Sequence, residues 1–308
     1  MSKPIESKRN LLSIADLTRA QLDDIFTLAH RLKADRQDGW PHPLLAGKTL
    51  AMIFEKPSLR TRVTFEAGMV QLGGYAVYLS PADIGLGTRE SVGDVARNLS
   101  RWVDLIMVRT FSHNVVVELA QHATIPVING LSDLLHPCQV LADCFTLIEQ
   151  RGRLDGLKVA FVGDGNNVVN SWLNAAAKLP FTFALACPPG YEPDAGVLAS
   201  ARASGGQITI TQSVEEAARG ADVVYTDVWT SMGQEEEATQ RREVFRPYQV
   251  NAAVMALTKP GALVMHCLPA HRGEEITADV LDGPQSVVLE EAENRLHVQK
   301  AIMVWLLR

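Results

Sequence analysis

The sequence predicts an α/β protein with two doubly wound, mainly parallel sheets. Three observations point there. Short apolar runs alternate with stretches of helical spacing along the whole chain. The runs fall into two sets, separated by a polar turn near residue 150. The 308 residues, 47% hydrophobic and 21% charged, suffice for two domains that each bury a core.

In chain order, Thr49–Phe54, Ala76–Leu79, Asp104–Val108 and Ile125–Ile128 read as four buried strands of a first domain. Arg60–Leu72 and Val92–Trp102 have helical periodicity between them. Pro137 suits the first turn of a helix whose apolar stripe is Val140, Leu141, Cys144, Phe145 and Ile148. That helix ends in the turn Gln150–Gly156, which sets the expected boundary: 1–149 for the first domain and 150–289 for the second. In the second domain Lys158–Val162, Phe181–Ala186, Gln207–Thr211, Asp222–Thr226, Ala262–Met265 and Ser286–Leu289 read as strands. A closing amphipathic helix over 290–308 has acidic residues early and basic ones late, matching the helix dipole.

Composition narrows the function. The 29 basic and 35 acidic residues give a net charge of −6, against a general nucleic-acid binder. Cys138, Cys144, Cys187 and Cys267 form no CxxC pair and no zinc spacing, so no metal and a reduced chain are expected. The N-terminus lacks the apolar core of a signal peptide, and apolar stretches such as Ala301–Leu307 are too short to span a bilayer. A soluble cytoplasmic protein without membrane or nucleic-acid partners is the expectation.

Open α/β sheets bind ligands beyond the carboxyl ends of their strands, and the polar clusters lie there. Glu55-Lys56-Pro57-Ser58-Leu59-Arg60-Thr61-Arg62 leaves the first strand and opens a helix. Ser58 is placed as the N-cap, and a helix N-terminus beside hydroxyls and guanidinium groups suits phosphate, although a capped helix with two solvated arginines fits the same residues. Arg109 ends another strand, facing either solvent or a ligand, and His136-Pro137-Cys138-Gln139 puts an imidazole and a carboxamide at a helix start. Gly163-Asp164-Gly165-Asn166-Asn167 resembles a dinucleotide turn, but Val168 replaces the third glycine and no acid closes the next strand. Both absences argue against a nicotinamide-dependent dehydrogenase. Asp227-Val228-Trp229-Thr230-Ser231-Met232-Gly233 follows a further strand and offers a carboxylate for an ammonium group. In His266-Cys267-Leu268-Pro269-Ala270-His271 a nucleophilic Cys267 is conceivable, but adjacent side chains on extended backbone diverge, so His266 is poorly placed to activate it. Arg295, on the last helix, faces solvent by default.

Taken together these motifs, in this order, resemble the aspartate and ornithine transcarbamylases, the ornithine branch above all. The likeness spans essentially the whole chain and includes Val63-Thr64-Phe65-Glu66 and Ala292-Glu293-Asn294-Arg295. It implies a carbamoyl-phosphate domain and an ornithine domain joined by interdomain helices, with the C-terminal helix returning to the first. It implies that Ser58, Leu59, Arg60, Thr61 and Arg109 bind phosphate, and that His136, Gln139, Cys267, Leu268 and Arg295 surround the carbamoyl group. Asn167, Asp227, Ser231 and Met232 would bind ornithine, with Arg60, Arg109, His136, Asp227 and Cys267 as the catalytic set. The Leu268–Pro269 bond is expected to be cis. Carbamoyl phosphate is already an activated anhydride, so no cofactor is required; the enzyme orients two substrates and stabilises an oxyanion and a leaving phosphate. The product would be citrulline, in arginine biosynthesis or metabolism, and the assembly a homotrimer or a multiple of it. In such relatives the loop corresponding to Asp83–Ser91 reaches into the neighbouring subunit, and Gly85 stands where many carry Gln.

Overall fold

The computed structural model describes residues 8–230 and 235–308. The chain divides into two compact units, Met1–Cys138 with Arg295–Arg308, and Gln139–Asn294.

Unit 1 opens with α1 (Arg19–Gln37), started by a reciprocal cap in which Thr18 and Gln21 exchange hydrogen bonds. There follow β1 (Thr49–Phe54), α2 (Leu59–Gln71), β2 (Tyr75–Leu79), α3 (Pro81–Ile84), α4 (Val92–Trp102), β3 (Leu105–Arg109), α5 (His113–His122) and β4 (Val127–Leu131). The strands pair in parallel in the order β2-β1-β3-β4. Leu50–Phe54 and all of β3 are buried, as continuous apolar runs require when helices cover both sheet faces. Helix α2 buries Thr61, Phe65 and Met69, four residues apart, along one stripe. Gly68 lies on that helix where a Cβ would come within 3.2 Å of both Lys300 and Met303, so the absent side chain lets the last helix approach.

Unit 2 takes over within α6 (Pro137–Arg151), which starts on the expected proline. It continues through β5 (Lys158–Val162), α7 (Asn167–Ala176), β6 (Thr182–Ala186), α8 (Ala195–Ala203), β7 (Gln207–Thr211), α9 (Val214–Ala218), β8 (Val223–Thr226), α10 (Ala238–Phe245), α11 (Ala252–Met255), β9 (Leu263–His266) and α12 (Ala278–Leu281) to α13 (Val288–Leu307). Its sheet is parallel, ordered β7-β6-β5-β8-β9. Trp172 on α7 is fully buried, stacked on Phe183 at 6.0 Å and edge-on to Phe181 and Tyr225. That aromatic cluster fixes α7, and hence its N-terminus, against β5, β6 and β8.

The two-sheet α/β class is as predicted. One strand is not: Ser286–Leu289 makes a single bridge, Ser286 to Val264, and the chain enters α13 at Val288. A run of three apolar residues, Val287–Leu289, fits a strand or a helix start equally, and Glu290 and Glu291 in the first turn favour the helix. Among the described residues no helix is long and apolar enough to cross a membrane.

Candidate active site

In both sheets the strand order reverses between two neighbours, β1 and β3 in unit 1 and β5 and β8 in unit 2. Polar clusters extend from the carboxyl ends of those four strands, where this topology opens a crevice.

In unit 1, Phe54 of β1 pairs with Arg109 of β3, and Glu55 N–H continues the ladder to the Arg109 carbonyl at 2.8 Å. The Glu55 carboxylate accepts from the Thr110 hydroxyl, tying the two strand exits together. Ser58 caps α2, its Oγ accepting from Thr61 N at 3.2 Å. Arg62 is drawn aside by Glu66 and by the Tyr78 ring, whereas Arg60 is half-buried. Leu59 is 75% exposed, so its contribution to an anion site is its backbone. Arg109, His136 and Arg295 are buried. Arg295 therefore departs from its solvent default: its Nη2 donates to Thr61 Oγ1 at 3.1 Å.

His136 reports on this arrangement. Burial, then the charges of Arg295, Arg109 and Arg60, hold its imidazole well below the usual range. It is neutral at physiological pH, and three guanidinium groups are close enough to act on it. Unit 1 thus gathers three positive charges, a neutral imidazole, the Thr61 hydroxyl and the N-terminus of α2, a combination suited to a multiply charged phosphate group.

In unit 2 the GDGNN turn has a structural explanation for each glycine. Gly163 adopts φ +141°, and a Cβ on Gly165 would sit 2.4 Å from Pro193 N. Asn166 is the N-cap of α7, its Oδ1 accepting from Val168 and Val169 N–H. Its Nδ2 donates to Asp227 Oδ2 at 2.8 Å, across the β5/β8 switch. Asn167 follows as the first residue of α7, half-buried. Asp227 is 8% exposed and further accepts, on Oδ1, from Val228 N at 2.8 Å and Cys267 Sγ at 3.0 Å. Burial, then Asp227, pushes the Cys267 thiol well above its ordinary range, so it is a protonated donor and no thiolate nucleophile at neutral pH. Ser231 and Met232 lie outside the described residues.

His266 is not the partner of Cys267. Its Nδ1 accepts from Leu268 N–H at 2.9 Å, which leaves the ring proton on Nε2, 3.1 Å from the buried Glu275 carboxylate. Asp227, His266 and Cys267 offer ligand atoms within 4.8 Å of one another, as a metal site would. Both imidazole nitrogens are engaged and Cys267 donates to Asp227, so hydrogen bonds occupy all three side chains, and the His266–Leu268 bond braces the turn. The brace holds Leu268 at φ +55°, an uncommon conformation for a branched side chain, before the cis Leu268–Pro269 bond. Gln139, 1% exposed, donates from Nε2 to Asp143 at 2.8 Å and Glu291 at 2.9 Å.

Two residues escaped sequence reasoning. Arg241 is buried, paired with Asp164, donates from Nε to the Trp229 carbonyl at 2.5 Å and lies over the Tyr191 and Phe245 rings. Burial lifts the Asp164 carboxyl to about 6 despite that pairing. Glu291 is the other. Neither belongs to a recognisable short motif. The loop after β2 takes its own form: Gly85 closes α3 at φ +57°, and a Cβ there would meet Arg89 Cβ at 2.7 Å. Thr88 and Arg89 are exposed.

Residues 9–149 match the carbamoyl-P binding domain of aspartate/ornithine carbamoyltransferases, and residues 155–306 match their Asp/Orn binding domain. Two carboxyl-end clusters on two parallel sheets, with those matches, define the class: the chain belongs to the aspartate/ornithine carbamoyltransferase family. Within it, the chain is similar to the ornithine carbamoyltransferase of Syntrophus aciditrophicus, 57% identical over 96% of this chain and 98% of the relative. Among solved structures it resembles the ornithine carbamoyltransferase of Pyrococcus furiosus, 51% identical over 96% of both chains with a TM-score of 0.93. That from Thermus thermophilus is 46% identical over 97% of this chain and 99% of the other, with a TM-score of 0.88.

Proposed function

We propose that the protein transfers the carbamoyl group of carbamoyl phosphate to the side-chain amine of L-ornithine, releasing L-citrulline and phosphate. The observation that carries this reading is the cluster of Arg60, Arg109 and Arg295 around a neutral His136 at the N-terminus of α2. In this reading Ser58, the Leu59 backbone, Arg60, Thr61 and Arg109 hold the phosphate. Arg295 and His136 polarise the carbamoyl carbonyl, and a neutral imidazole donates there without the desolvation cost of a further cation. Gln139 and the carbonyls of Cys267 and Leu268 accept from the carbamoyl NH2.

Asp227, with Asn167, Ser231 and Met232, receives ornithine. An alkylammonium titrates near ~10.4, so the attacking amine must lose a proton before it reacts. Asp227, already hydrogen-bonded to Asn166 and Cys267, orients that amine. Attack forms the C–N bond and a tetrahedral oxyanion; collapse breaks the C–O bond, and the departing phosphate, its charge offset by the arginines, takes up the proton released from the nitrogen. The mixed anhydride supplies the driving force, so none of these steps calls on a cofactor.

The exposed Val63, Val70, Tyr75 and Trp102 of unit 1 support the homotrimer that the family resemblance implies, with the Gly85 loop directed to a neighbouring copy. The cytoplasm is the compartment consistent with four reduced cysteines. The deciding experiment incubates the protein with carbamoyl phosphate and, separately, ornithine, putrescine, N-acetylornithine and aspartate. Ureido product is expected from ornithine in large excess over the other three. Preferential turnover of any other acceptor would overturn the assignment.

A further inference from the structure

Gln139 takes part in a polar network of unit 2. Its amide nitrogen donates to Asp143 Oδ1 and to Glu291 Oε1, so both N–H groups are committed to carboxylates. Rotating the amide by half a turn would set its oxygen against two carboxylate oxygens. The acceptor end is thereby directed away from the carboxylates, and a carbamoyl NH2 requires acceptors.

The Glu291 carboxylate does more than hold Gln139. Oε1 also accepts from the Tyr225 hydroxyl at 3.1 Å, and Oε2 accepts from His266 N–H at 3.0 Å. One side chain on α13 therefore links the start of α6, the end of β8 and the end of β9, immediately before the Cys267–Leu268 turn. His266 passes the constraint on, because its ring holds Leu268 N–H.

We propose that Glu291 is a positioning residue for carbamoyl transfer, fixing the Gln139 amide and the Cys267–Leu268 carbonyls in one relative register, with Asp143 as the partner that completes the clamp. The proposal rests on the carbamoyltransferase reading above. Asp143 and Glu291 are 0% and 1% exposed and interact directly, and two buried carboxylates in contact do not both ionise. Burial, then Glu291, raises the Asp143 carboxyl well above its usual range. Asp143 holds the proton, while Glu291 keeps the charge that three donors stabilise. The proposed reaction assigns neither group a contact with substrate.

The test compares Glu291→Gln, Asp143→Asn and Asp143→Ala in the full-length protein. Melting temperature, kcat, KM for each substrate and the dissociation constant for inorganic phosphate are measured. Glutamine at 291 keeps the shape but turns an N–H toward a donor. It should lower kcat/KM for carbamoyl phosphate by about 10- to 100-fold, the loss expected when hydrogen bonds to a charged acceptor are broken. Phosphate affinity, set by the arginines of unit 1, should stay within about twofold of wild type, a split that general destabilisation would not produce. Asp143→Asn retains a neutral donor and acceptor and should lose several-fold less activity than Asp143→Ala, roughly the difference of one buried hydrogen bond. Should Glu291→Gln fail to fold, the Asp143 pair decides. Wild-type kcat/KM in folded Glu291→Gln, or equal losses in the two Asp143 variants, would overturn the proposal. A wild-type protein that makes no citrulline would instead overturn the functional reading itself.

Discussion

Replacing Arg241 with methionine should destabilise unit 2 and weaken ornithine binding while sparing the donor. The guanidinium is 4% exposed, pairs with Asp164, anchors the Trp229 carbonyl and lies 4.8 and 5.2 Å from the Tyr191 and Phe245 ring centroids. Methionine keeps part of the aliphatic packing and deletes the charge. Removing one partner of a buried ion pair costs about 3–5 kcal/mol, because the other charge is stranded. Asp164, already raised to about 6, relieves part of that by taking up a proton, so the net loss should be roughly 2–4 kcal/mol. For a domain of this size each kcal/mol lowers the midpoint by ~2–4 °C, which predicts a fall of ~4–16 °C. The functional arm follows from position. Trp229 is two residues beyond Asp227, so its release should raise the KM for ornithine, whereas the KM for carbamoyl phosphate stays put. Adding Asp164→Asn should recover at least about half of the lost stability, since the stranded carboxylate is then gone. Differential scanning fluorimetry and initial-rate kinetics measure both arms. An Arg241→Met variant with the wild-type midpoint and ornithine KM, or a double variant no more stable than the single, refutes the reasoning.

Two other outcomes are expected. Cys267→Ser preserves a donor to Asp227 and should retain activity within about tenfold, since one neutral hydrogen bond is exchanged for another; a carbamoyl adduct on Cys267 seen by intact-mass spectrometry would contradict the non-covalent mechanism. Lys300 is fully buried against His42, Gln71 and the Leu32 carbonyl, and burial, then Arg36, pulls its ammonium down to about 8. Its folded value lies below its unfolded one, so the unfolded chain binds more protons between about pH 8 and 10.5, and this group's contribution to stability increases with pH across that window. After discounting for solvent screening the gain is on the order of 2 kcal/mol. Denaturant titrations should show this increment in the wild type and its absence in Lys300→Met; parallel profiles would remove Lys300 as the source.

The fold was legible where local pattern and tertiary role coincide. β1 and β5 are uninterrupted apolar runs ending in turn residues, and their limits in the structure are those expected from sequence. The same residues failed to separate strand from helix at Ser286–Leu289, where a lone bridge gives way to α13. Clusters at strand ends were visible because the chemistry there is contiguous: Ser58 to Thr61, Gly163 to Asn167, Asp227, Cys267. Arg295 was not visible as a buried group from spacing, because its burial depends on Thr61, which lies 234 residues away in the chain. Arg241 and Glu291 were invisible for the same reason. Each is one charged residue on a helix, and only distant partners such as Asp164 and Gln139 distinguish it from a solvated one.

The return of residues 295–308 to unit 1 imposes an order on synthesis. Unit 2 is contiguous and leaves the ribosome whole, whereas the first 138 residues of unit 1 must wait for a strand of chain made after it. That late segment brings Arg295 to Thr61 and fills the space left by Gly68. A nascent chain halted before it would hold an unfinished hydrophobic interior and lack the Arg295 guanidinium beside Thr61. In the proposed function, the phosphate site is completed only once this segment has been translated.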